Sequence, residues 1–481
     1  MGAAQADVTA SEVWDGFKSQ LALLGTIEAS ETRVSNVLSV SAIQFSAQQD
    51  DVAGSAALAG EILFTENADG TVSVDIPDGL KGRVSINAPF GQSSFDYALV
   101  PVGFAAVASG DAGSIVYTME AERLTHALSN IAFDDDDRVS AALEIVTSGL
   151  KGGWSRSVEG DKDAVAASYR YDQVALAGSL DDEGSASSFN VNAVALGVAT
   201  AADTTLPDGI SLEGLEGFLT SGILFDSRTS YENFSYSLNA GGISAQASMG
   251  AGFIDAALDD TALTYETKAE DLKITANPSF LLPQIDLSFA QTQSQLRATI
   301  PSAGDAQDIS TKLVYQDAVL SEGLWGLFDP QGHLPREPIN LFLESEAQGG
   351  IEYLKDAAPL TYLLLKSDEP QPLKSIKINE LYLNAAGAEF QGVGAFSFDN
   401  NDLESFAGFP RPEGSVDLNL SGGFGLLDNL AKTGLLPDAQ AQGIKAMAGF
   451  FAKPGAEPDT LTSKIEITDE GRILANGVPI Q

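Results

Sequence analysis

The sequence predicts an α+β fold that is mainly antiparallel β, with a long, curved β-meander sheet wrapped around a few amphipathic helices. From about residue 28 to residue 200, apolar residues alternate with Ser, Thr, Asn and Asp in short runs, as in residues 71–76 and 189–194. This alternation is typical of antiparallel strands that bury one face. Turn sequences such as Asn67–Gly70 and Asp181–Gly184 separate the runs, which favours a meander.

A helix is predicted near the start of the chain. Thr9 and Glu12 stand three residues apart, as in a capping box, where each side chain accepts a hydrogen bond from the other residue's backbone N–H. Apolar residues then follow at helical spacing, and Gly25 can end the helix. These apolar residues are Val13, Phe17, Leu21 and Leu24.

Five further helices are predicted from apolar residues that are three or four positions apart. Gly434 and Pro437 separate the last two as stop and start signals. A final hairpin is predicted in which Lys464–Thr468 pairs with Arg472–Ala475. The next dipeptide, Asn476-Gly477, favours a type I′ turn. The five helices span residues 120–131, 208–224, 321–328, 426–433 and 438–452.

The chain of 481 residues suits two or three typical domains or one long one. We expect two β-rich halves, residues 7–225 and residues 226–481, the second ending in the helix pair and the hairpin. One continuous domain is the alternative. Tyr117–Leu124 and Tyr265–Leu272 are weakly similar, which fits either two related halves or chance in a biased composition.

Charge and composition argue against several classes of function. The chain has 67 Asp and Glu against 26 Lys and Arg, so its formal net charge is −41. Nucleic acids require a basic surface, so they are not expected as partners. The absence of Cys excludes disulfides, thiolate nucleophiles and Cys-ligated metals. With only two His, no catalytic residue, metal site or cofactor is predicted.

The first residues indicate export. Ala4-Gln5-Ala6 fits the small-x-small end of a secretory signal peptide, although no basic and apolar segments precede it. We therefore expect residues 1–6 to be the remnant of a signal peptide and the protein to be periplasmic. The uncharged stretches 184–202 and 233–254 are interrupted by polar residues and Gly, so no transmembrane segment is predicted.

Three short motifs have the order found in penicillin-recognising serine enzymes, in which a Lys activates a Ser nucleophile. They are Ser148–Lys151, Tyr231–Asn233 and Lys432–Gly434. Their context argues against the enzyme, because glycines surround the first motif and the third closes a predicted helix. We therefore predict that the protein is not an enzyme.

Acidic loops are the second chemical alternative, since clustered carboxylates can hold calcium. None of the loops has the full calcium-loop spacing, so solvated turns are the favoured interpretation. The loops lie at residues 50–51, 134–137, 181–183 and 399–404.

Two segments carry a resemblance to a known family. Leu324–Pro338 reads LWGLFDPQGHLPREP, and Asp469–Pro479 reads DEGRILANGVP. The first resembles the signature of an alphaproteobacterial envelope family, domain of unknown function 2125, and the second resembles its last hairpin. The ending is also similar to the tails of AsmA-like and YdgA-like envelope proteins. The resemblance implies export and, by analogy, a curved sheet with an apolar groove. It implies no activity and no catalytic residues.

Two sets of residues are candidates for a role. Asp329 and Arg336, with Pro330 and Pro335 between them, are expected to form an ion pair that fixes the turn after a short helix. The alternative is that Arg336 binds an anionic ligand. The second set is an apolar stripe predicted to pack on the sheet or to cover a groove in it. It consists of Ile444, Met447, Phe450 and Phe451.

These observations favour a soluble, non-enzymatic envelope protein. Its expected partner is a lipid or another apolar ligand, bound in a groove of the curved sheet. The alternative is a structural or protein-interaction component of the cell surface, with an envelope protein as partner. The alternating strands support the first hypothesis, together with the family resemblance.

Overall fold

The computed structural model describes residues 8–21, 25–49, 51–89, 91–111, 113–133, 139–160, 162–182, 188–207, 222–278, 283–300, 307–349 and 373–480. The chain divides into two compact units. Unit 1 comprises Met1–Asp208, Ser227–Ala251 and Asn277–Phe280, and unit 2 comprises Gly209–Asp226, Gly252–Ala276 and Leu281–Gln481. Neither unit is a single stretch of sequence, and the expected halves 7–225 and 226–481 stay a prediction.

Helix α1 spans Ala10–Leu21 and confirms the first predicted helix. The backbone N–H of Thr9 donates to Glu12 Oε2 at 2.8 Å. The backbone N–H of Glu12 donates to Thr9 Oγ1 at 3.2 Å. These two hydrogen bonds are the predicted capping box, and they satisfy backbone donors that the first helical turn leaves unpaired.

Long antiparallel strands make up most of the described chain. The first fourteen are β1 (Thr26–Val34), β2 (Val37–Gln49), β3 (Val52–Glu66), β4 (Val72–Asp75), β5 (Leu80–Ala88), β6 (Gly91–Val102), β7 (Ala105–Asp111), β8 (Ser114–Phe133), β9 (Val139–Glu159), β10 (Lys162–Asp182), β11 (Ser188–Pro207), β12 (Leu224–Tyr231), β13 (Asn233–Ala240) and β14 (Ile243–Met249).

The remaining strands complete the meander. They are β15 (Gly252–Leu258), β16 (Ala262–Asn277), β17 (Ile285–Thr299), β18 (Gln307–Leu320), β19 (Ile339–Gly349), β20 (Ser375–Ala385), β21 (Ala388–Asp399), β22 (Arg411–Ser421), β23 (Lys453–Pro454), β24 (Thr460–Ile467), β25 (Ile473–Ala475) and β26 (Val478–Pro479).

The sheet of unit 1 runs antiparallel in the order β1, β2, β3, β5, β6, β8, β9, β10, β11, β13 and β14. Strands β4 and β7 bridge the other ends of β3 and β8. Strands β8 to β11 are 20 or 21 residues long. Their length allows one sheet to carry two separate surfaces, one at each end of the strands.

A crease crosses these long strands at one level and separates the two surfaces. Gly149 and Gly197 have positive φ values of 64° and 59° there, and each faces a carboxylate, that of Asp172 and that of Glu232 respectively. On the α1 side of the crease, the buried residues of β9 are even-numbered, as at Trp154. On the far side of the crease they are odd-numbered, as at Ala141. Such a change of phase requires one extra residue in the strand, as in a β-bulge. The crease contains Glu122, Gly149, Asp172, Gly197 and Glu232.

The core of unit 1 lies under α1, on one side of the crease. Trp14 and Val13 are almost completely buried, and Tyr117 stacks on Trp154 with ring centroids 3.9 Å apart. Phe17 contacts both of these rings. Trp14 Nε1 donates to Glu31 Oε1 at 2.7 Å, so the indole N–H is satisfied at the edge of the cluster.

The sheet of unit 2 is a simple antiparallel meander from β15 to β22, followed by β24, β25 and β26. The final hairpin is confirmed, and Asn476 and Gly477 both have positive φ, as a type I′ turn requires. Three predicted helices are also confirmed. They are α2 (Glu322–Trp325), α3 (Gly423–Thr433) and α4 (Asp438–Phe451).

The predicted helix at residues 120–131 is wrong, because this segment belongs to strand β8. Asn130 adopts a positive φ of 50° at a register shift between β6 and β8. The extra residue places Leu128 and Ile131 three positions apart, a spacing that resembles a helix. The predicted helix at 208–224 lies almost wholly outside the described residues, and its last residue, Leu224, begins β12.

The predicted fold class is confirmed as mainly antiparallel β with few helices. The finer prediction, a sheet that wraps around amphipathic helices, is not established. In unit 1, α1 packs on the sheet and contributes to its core. In unit 2, α4 leaves its apolar stripe exposed.

Candidate functional site

A continuous apolar surface, here called the open face, lies in unit 1 on the far side of the crease from the α1 core. Directly paired residues of antiparallel strands point to the same side of a sheet, so the pairing registers define this surface. It consists of three rows across β6, β8, β9, β10, β11, β13 and β14. The rows are Tyr97, Leu128, Leu143, Gly178, Val191, Leu238 and Ala245; Leu99, His126, Ile145, Leu176, Ala193, Tyr236 and Ala247; and Pro101, Leu124, Thr147, Val174, Ala195, Phe234 and Met249.

The open face contains no Asp, Glu, Lys or Arg, and each of its residues is half-buried. The core cluster that α1 covers includes none of these side chains. The opposite face of the same strands is more polar, with Glu144, Asn192 and Gln246 in one cross-strand row. The described helices pack mainly on other strands, α1 on β1 to β3, α2 on β17 and α3 on β21.

Two polar side chains within the open face are bonded to each other. Tyr97 Oη and His126 Nδ1 lie 2.9 Å apart. Burial lowers the pKa of His126 and raises the pKa of Tyr97, because both charged forms are poorly solvated there. Nearby, Thr147 Oγ1 is buried and has no hydrogen-bond partner among the described residues. The three groups lie on adjacent strands along one diagonal of the open face.

The predicted apolar stripe on α4 exists, but its predicted packing is wrong. Phe450 is 73% exposed and Met447 is 57% exposed, and Ile444 and Phe451 are also exposed. The face of α4 that packs toward α3 carries Ala441, which is buried, and Lys445, which pairs with Asp428 at 2.6 Å. The stripe lies outside this contact, and its ligand-binding role stays a prediction.

The predicted ion pair between Asp329 and Arg336 is present. Arg336 Nη1 donates to Asp329 Oδ2 at 2.5 Å, and the backbone N–H groups of His333 and Leu334 donate to the same carboxylate. The guanidinium also lies 4.6 Å from the ring centroid of Trp325. Pro330 and Pro335 lie in the loop that the ion pair between Asp329 and Arg336 closes, as expected.

Burial of Asp329 opposes its ionisation, but the bonds from Arg336, Leu334 and His333 outweigh this and lower its pKa to about 2. Arg336 therefore has a structural partner, and an anion-binding role for it gains no support from these contacts. The arrangement is a turn lock built from one buried carboxylate, two backbone donors and one stacked guanidinium.

A polar cleft of about 420 Å³ lies in unit 2 on β21, β22 and β24. Asp417 and Lys464 line it, together with Asn419, whose buried Oδ1 has no hydrogen-bond partner within the described ranges. These charged and amide groups can bind water or a polar ligand.

The acidic loop at residues 399–404 serves local structure. Arg411 contacts Asp399 and Asp402 at 3.0 Å each, so the loop at 399–404 is closed around a cation of the chain itself. Residues 134–137 lie outside the described residues, as do Asp50 and Glu183. Among the residues that the structure does describe, no group of three or more His, Asp or Glu could hold a metal ion.

The motifs that resemble a serine enzyme lie in unsuitable elements. Ser148 and Lys151 lie on strand β9, whereas the chemistry requires them at the start of a helix. Lys432 lies at the end of α3, where its Nζ donates to Asn429 Oδ1 at 3.1 Å.

None of the helices in the described ranges is both long and apolar enough to cross a membrane.

Sequence reasoning did not identify the open face. The signal was present in the alternation of single strands, for example Leu143 and Ile145 in β9 or Val174 and Leu176 in β10. What the sequence did not supply was the register, which aligns these residues with partners far along the chain, such as Tyr236 opposite Ala193. One strand shows an apolar side, and seven aligned strands make a surface.

The comparisons with known proteins identify a family and no function. Residues 219–481, more than half of the chain, match the model of a family described as an uncharacterized protein conserved in bacteria, domain of unknown function 2125. No curated protein and no solved structure gives a significant match. The AsmA-like tail stays a prediction. The matched region contains the turn lock, the α3–α4 pair and the final hairpin, and the chain belongs to the domain of unknown function 2125 family.

Proposed function

We propose that the protein is a non-enzymatic envelope protein that binds a lipid, or another apolar ligand, on the open face of unit 1. The observation that carries this proposal is the run of three aligned rows without a single Asp, Glu, Lys or Arg. Soluble domains rarely leave a large contiguous apolar surface without a partner. A ligand that covers it recovers free energy in proportion to the apolar area removed from water.

The dimensions of the open face suit a lipid chain. Seven strands spaced about 4.8 Å apart span about 29 Å, and the three rows are about 13 Å deep. The hydrocarbon core of a bilayer is about 30 Å thick, so one acyl chain reaches about half that distance. A row of the open face can therefore accommodate the length of an acyl chain, with a neighbouring row for a second chain.

The envelope location and the non-enzymatic character belong to the same proposal. The Ala4-Gln5-Ala6 sequence supports export. The placement of Ser148 and Lys151 on a strand supports a binding role over catalysis.

The test uses a matched pair of variants on one strand. Val191 belongs to the open face, and Val194, three residues later on β11, points to the opposite face. Protein purified from the native envelope is extracted with organic solvent, and the lipids are measured by mass spectrometry. We expect lipid with the wild type and with Val194→Asp, and at least about tenfold less with Val191→Asp, because a charge on the open face must be desolvated under the ligand.

Melting curves of both variants establish that each is folded. An equal lipid content in the two folded variants would contradict the proposal. So would wild-type protein that carries no lipid.

A protein-interaction role is the second candidate function, and the exposed stripe on α4 favours it. Phe450 and Met447 are the most exposed large apolar side chains of this helix. Aromatic and Met side chains of this kind are enriched at protein interfaces. A stoichiometric envelope partner that is lost with Phe450→Ser and kept with Val191→Asp would support this role over lipid binding.

A further inference from the structure

We infer that the ligand of the open face is an uncharged, ester-linked lipid such as a diacylglycerol, held by a hydrogen bond from the Tyr97–His126 pair to an ester carbonyl. This inference rests on the proposed function and adds the chemical class of the ligand. It depends on the position and protonation chemistry of the few polar groups within the open face.

Among the described residues, the strand positions around His126 on this face carry no charged group. Its strand neighbours are Leu124 and Leu128, and its cross-strand partners are Leu99 and Ile145. The diagonal positions are occupied by Tyr97, Pro101, Leu143 and Thr147. The charge of an anionic headgroup placed here would therefore meet no cation. An unpaired charge removed from water costs far more free energy than a neutral carbonyl does.

The Tyr97–His126 pair offers a donor in either of its hydrogen-bonded arrangements. If the Tyr97 hydroxyl donates to Nδ1, then the imidazole carries its proton on Nε2 and can donate to a ligand. If Nδ1–H donates to Tyr97 Oη, the phenolic hydroxyl remains free to donate. Burial favours the neutral imidazole, so no permanent cation forms to attract a carboxylate.

Thr147 provides a second polar contact. Its hydroxyl is buried without a partner in the part of the chain that the structure describes. It lies on β9, diagonally next to His126 on β8. A diacylglycerol has two ester groups and one hydroxyl, which can engage the pair and Thr147 together, while its acyl chains cover the apolar rows. A free fatty acid offers only a carboxylate.

The experiment measures displacement of a fluorescent apolar probe from the delipidated full-length protein at pH 8. The competitors are 1,2-dioleoylglycerol, oleate and octadecene, whose chains have the same length. Dioleoylglycerol has two such chains and ester groups, oleate has one chain and a carboxylate, and octadecene has one chain and no polar group. We expect dioleoylglycerol to displace the probe at a concentration at least about tenfold lower than oleate. His126→Phe and Tyr97→Phe should each weaken the binding of dioleoylglycerol about 2- to 10-fold, which is the range for one hydrogen bond, and should leave the binding of octadecene unchanged.

His333→Phe is the matched control, since it removes the other histidine of the chain, which lies in unit 2 beside Gln331. This variant should bind like the wild type. Tyr97→Phe keeps the ring in place, so it remains informative if His126→Phe does not fold.

Oleate binding as tight as dioleoylglycerol, or unchanged dioleoylglycerol binding in both folded variants, would overturn the inference and leave the proposed function standing. Failure of all three competitors to displace the probe would overturn the proposed function itself.

Discussion

Helices α1 and α4 are both amphipathic, yet only α1 buries its apolar side. Val13 and Trp14 of α1 are 0% and 3% exposed, whereas Phe450 and Met447 of α4 are 73% and 57% exposed. Helical periodicity therefore predicts that a helix forms and which side is apolar. It does not predict what covers that side, because this depends on the shape of the sheet in each unit.

The same contrast exists within the sheet of unit 1. On one side of the crease, α1 covers Tyr117, Trp154 and their neighbours, and these side chains form a core. On the other side, the open face has a similar apolar character without a described helix on it. The surface that α1 covers should contribute mainly to stability and the half-buried open face mainly to binding, so substitutions in the two should affect different measurements.

The largest expected effect is on stability, from Trp14→Ala. Loss of this buried indole should lower the free energy of unfolding by about 3–5 kcal/mol, since a cavity is left next to Phe64. Phe450→Ala should change it by less than about 0.5 kcal/mol, because the ring is already in water. Denaturant unfolding measures both, and equal losses would contradict the comparison.

The turn lock should give the next largest effect. Asp329→Asn removes the carboxylate that pairs with Arg336 and accepts two backbone N–H groups, so the melting temperature should fall clearly. Glu322→Gln is the matched control, since Glu322 is an exposed partner of the same Arg336 at 3.4 Å. A similar fall in both variants would show that Asp329 is no more important than a surface charge.

The turn lock also predicts a pH dependence. The pKa of Asp329 is about 2 in the fold and about 3.9 in an unfolded chain. The folded pKa is depressed, so the stabilisation is complete above about pH 4 and is lost as the pH falls toward 2. The difference in melting temperature between wild type and Asp329→Asn should therefore narrow between pH 4 and pH 2.

Substitution of a glycine in the crease should have a smaller effect on stability. This tests the boundary between the α1 core and the open face. Gly149→Ala places a Cβ at a positive φ and 2.1 Å from Asp172 Oδ2. Gly160→Ala has nearly the same φ, and its Cβ meets nothing within 4 Å. Gly160→Ala should lower the free energy of unfolding by about 1–2 kcal/mol, because of the backbone conformation alone. Gly149→Ala should lower it by more, because its Cβ also clashes with Asp172. Equal losses in the free energy of unfolding would show that the side chain of Asp172 moves aside at no energetic cost.

The smallest effect is expected from Lys445→Gln in the α3–α4 pair. The bond from Lys445 to Asp428 is partly exposed, so its loss should lower the free energy of unfolding by about 0.2–1 kcal/mol. Salt should reduce this difference. A loss as large as that of Trp14→Ala would mean that α4 is as firmly integrated as α1.

Local structure was predicted well from the sequence where the signal is local. The capping box at Thr9, the short helix after Ser321 and the ion pair between Asp329 and Arg336 each involve residues within a few positions of one another. The failure at residues 120–131 arose because a bulge at Asn130 imitates helical spacing. The open face depends on registers between distant strands, and no periodicity within one strand specifies them.

The most direct test of lipid binding on the open face is photo-cross-linking with a lipid that carries a photoreactive group on its acyl chain. After irradiation of the full-length protein and digestion, mass spectrometry locates the labelled residues. We predict labels on Leu124–Leu128, Leu143–Thr147, Val174–Gly178 and Val191–Ala195, and their loss in folded Val191→Asp. Labels confined to α4, or spread equally over both faces of β9 to β11, would contradict the account.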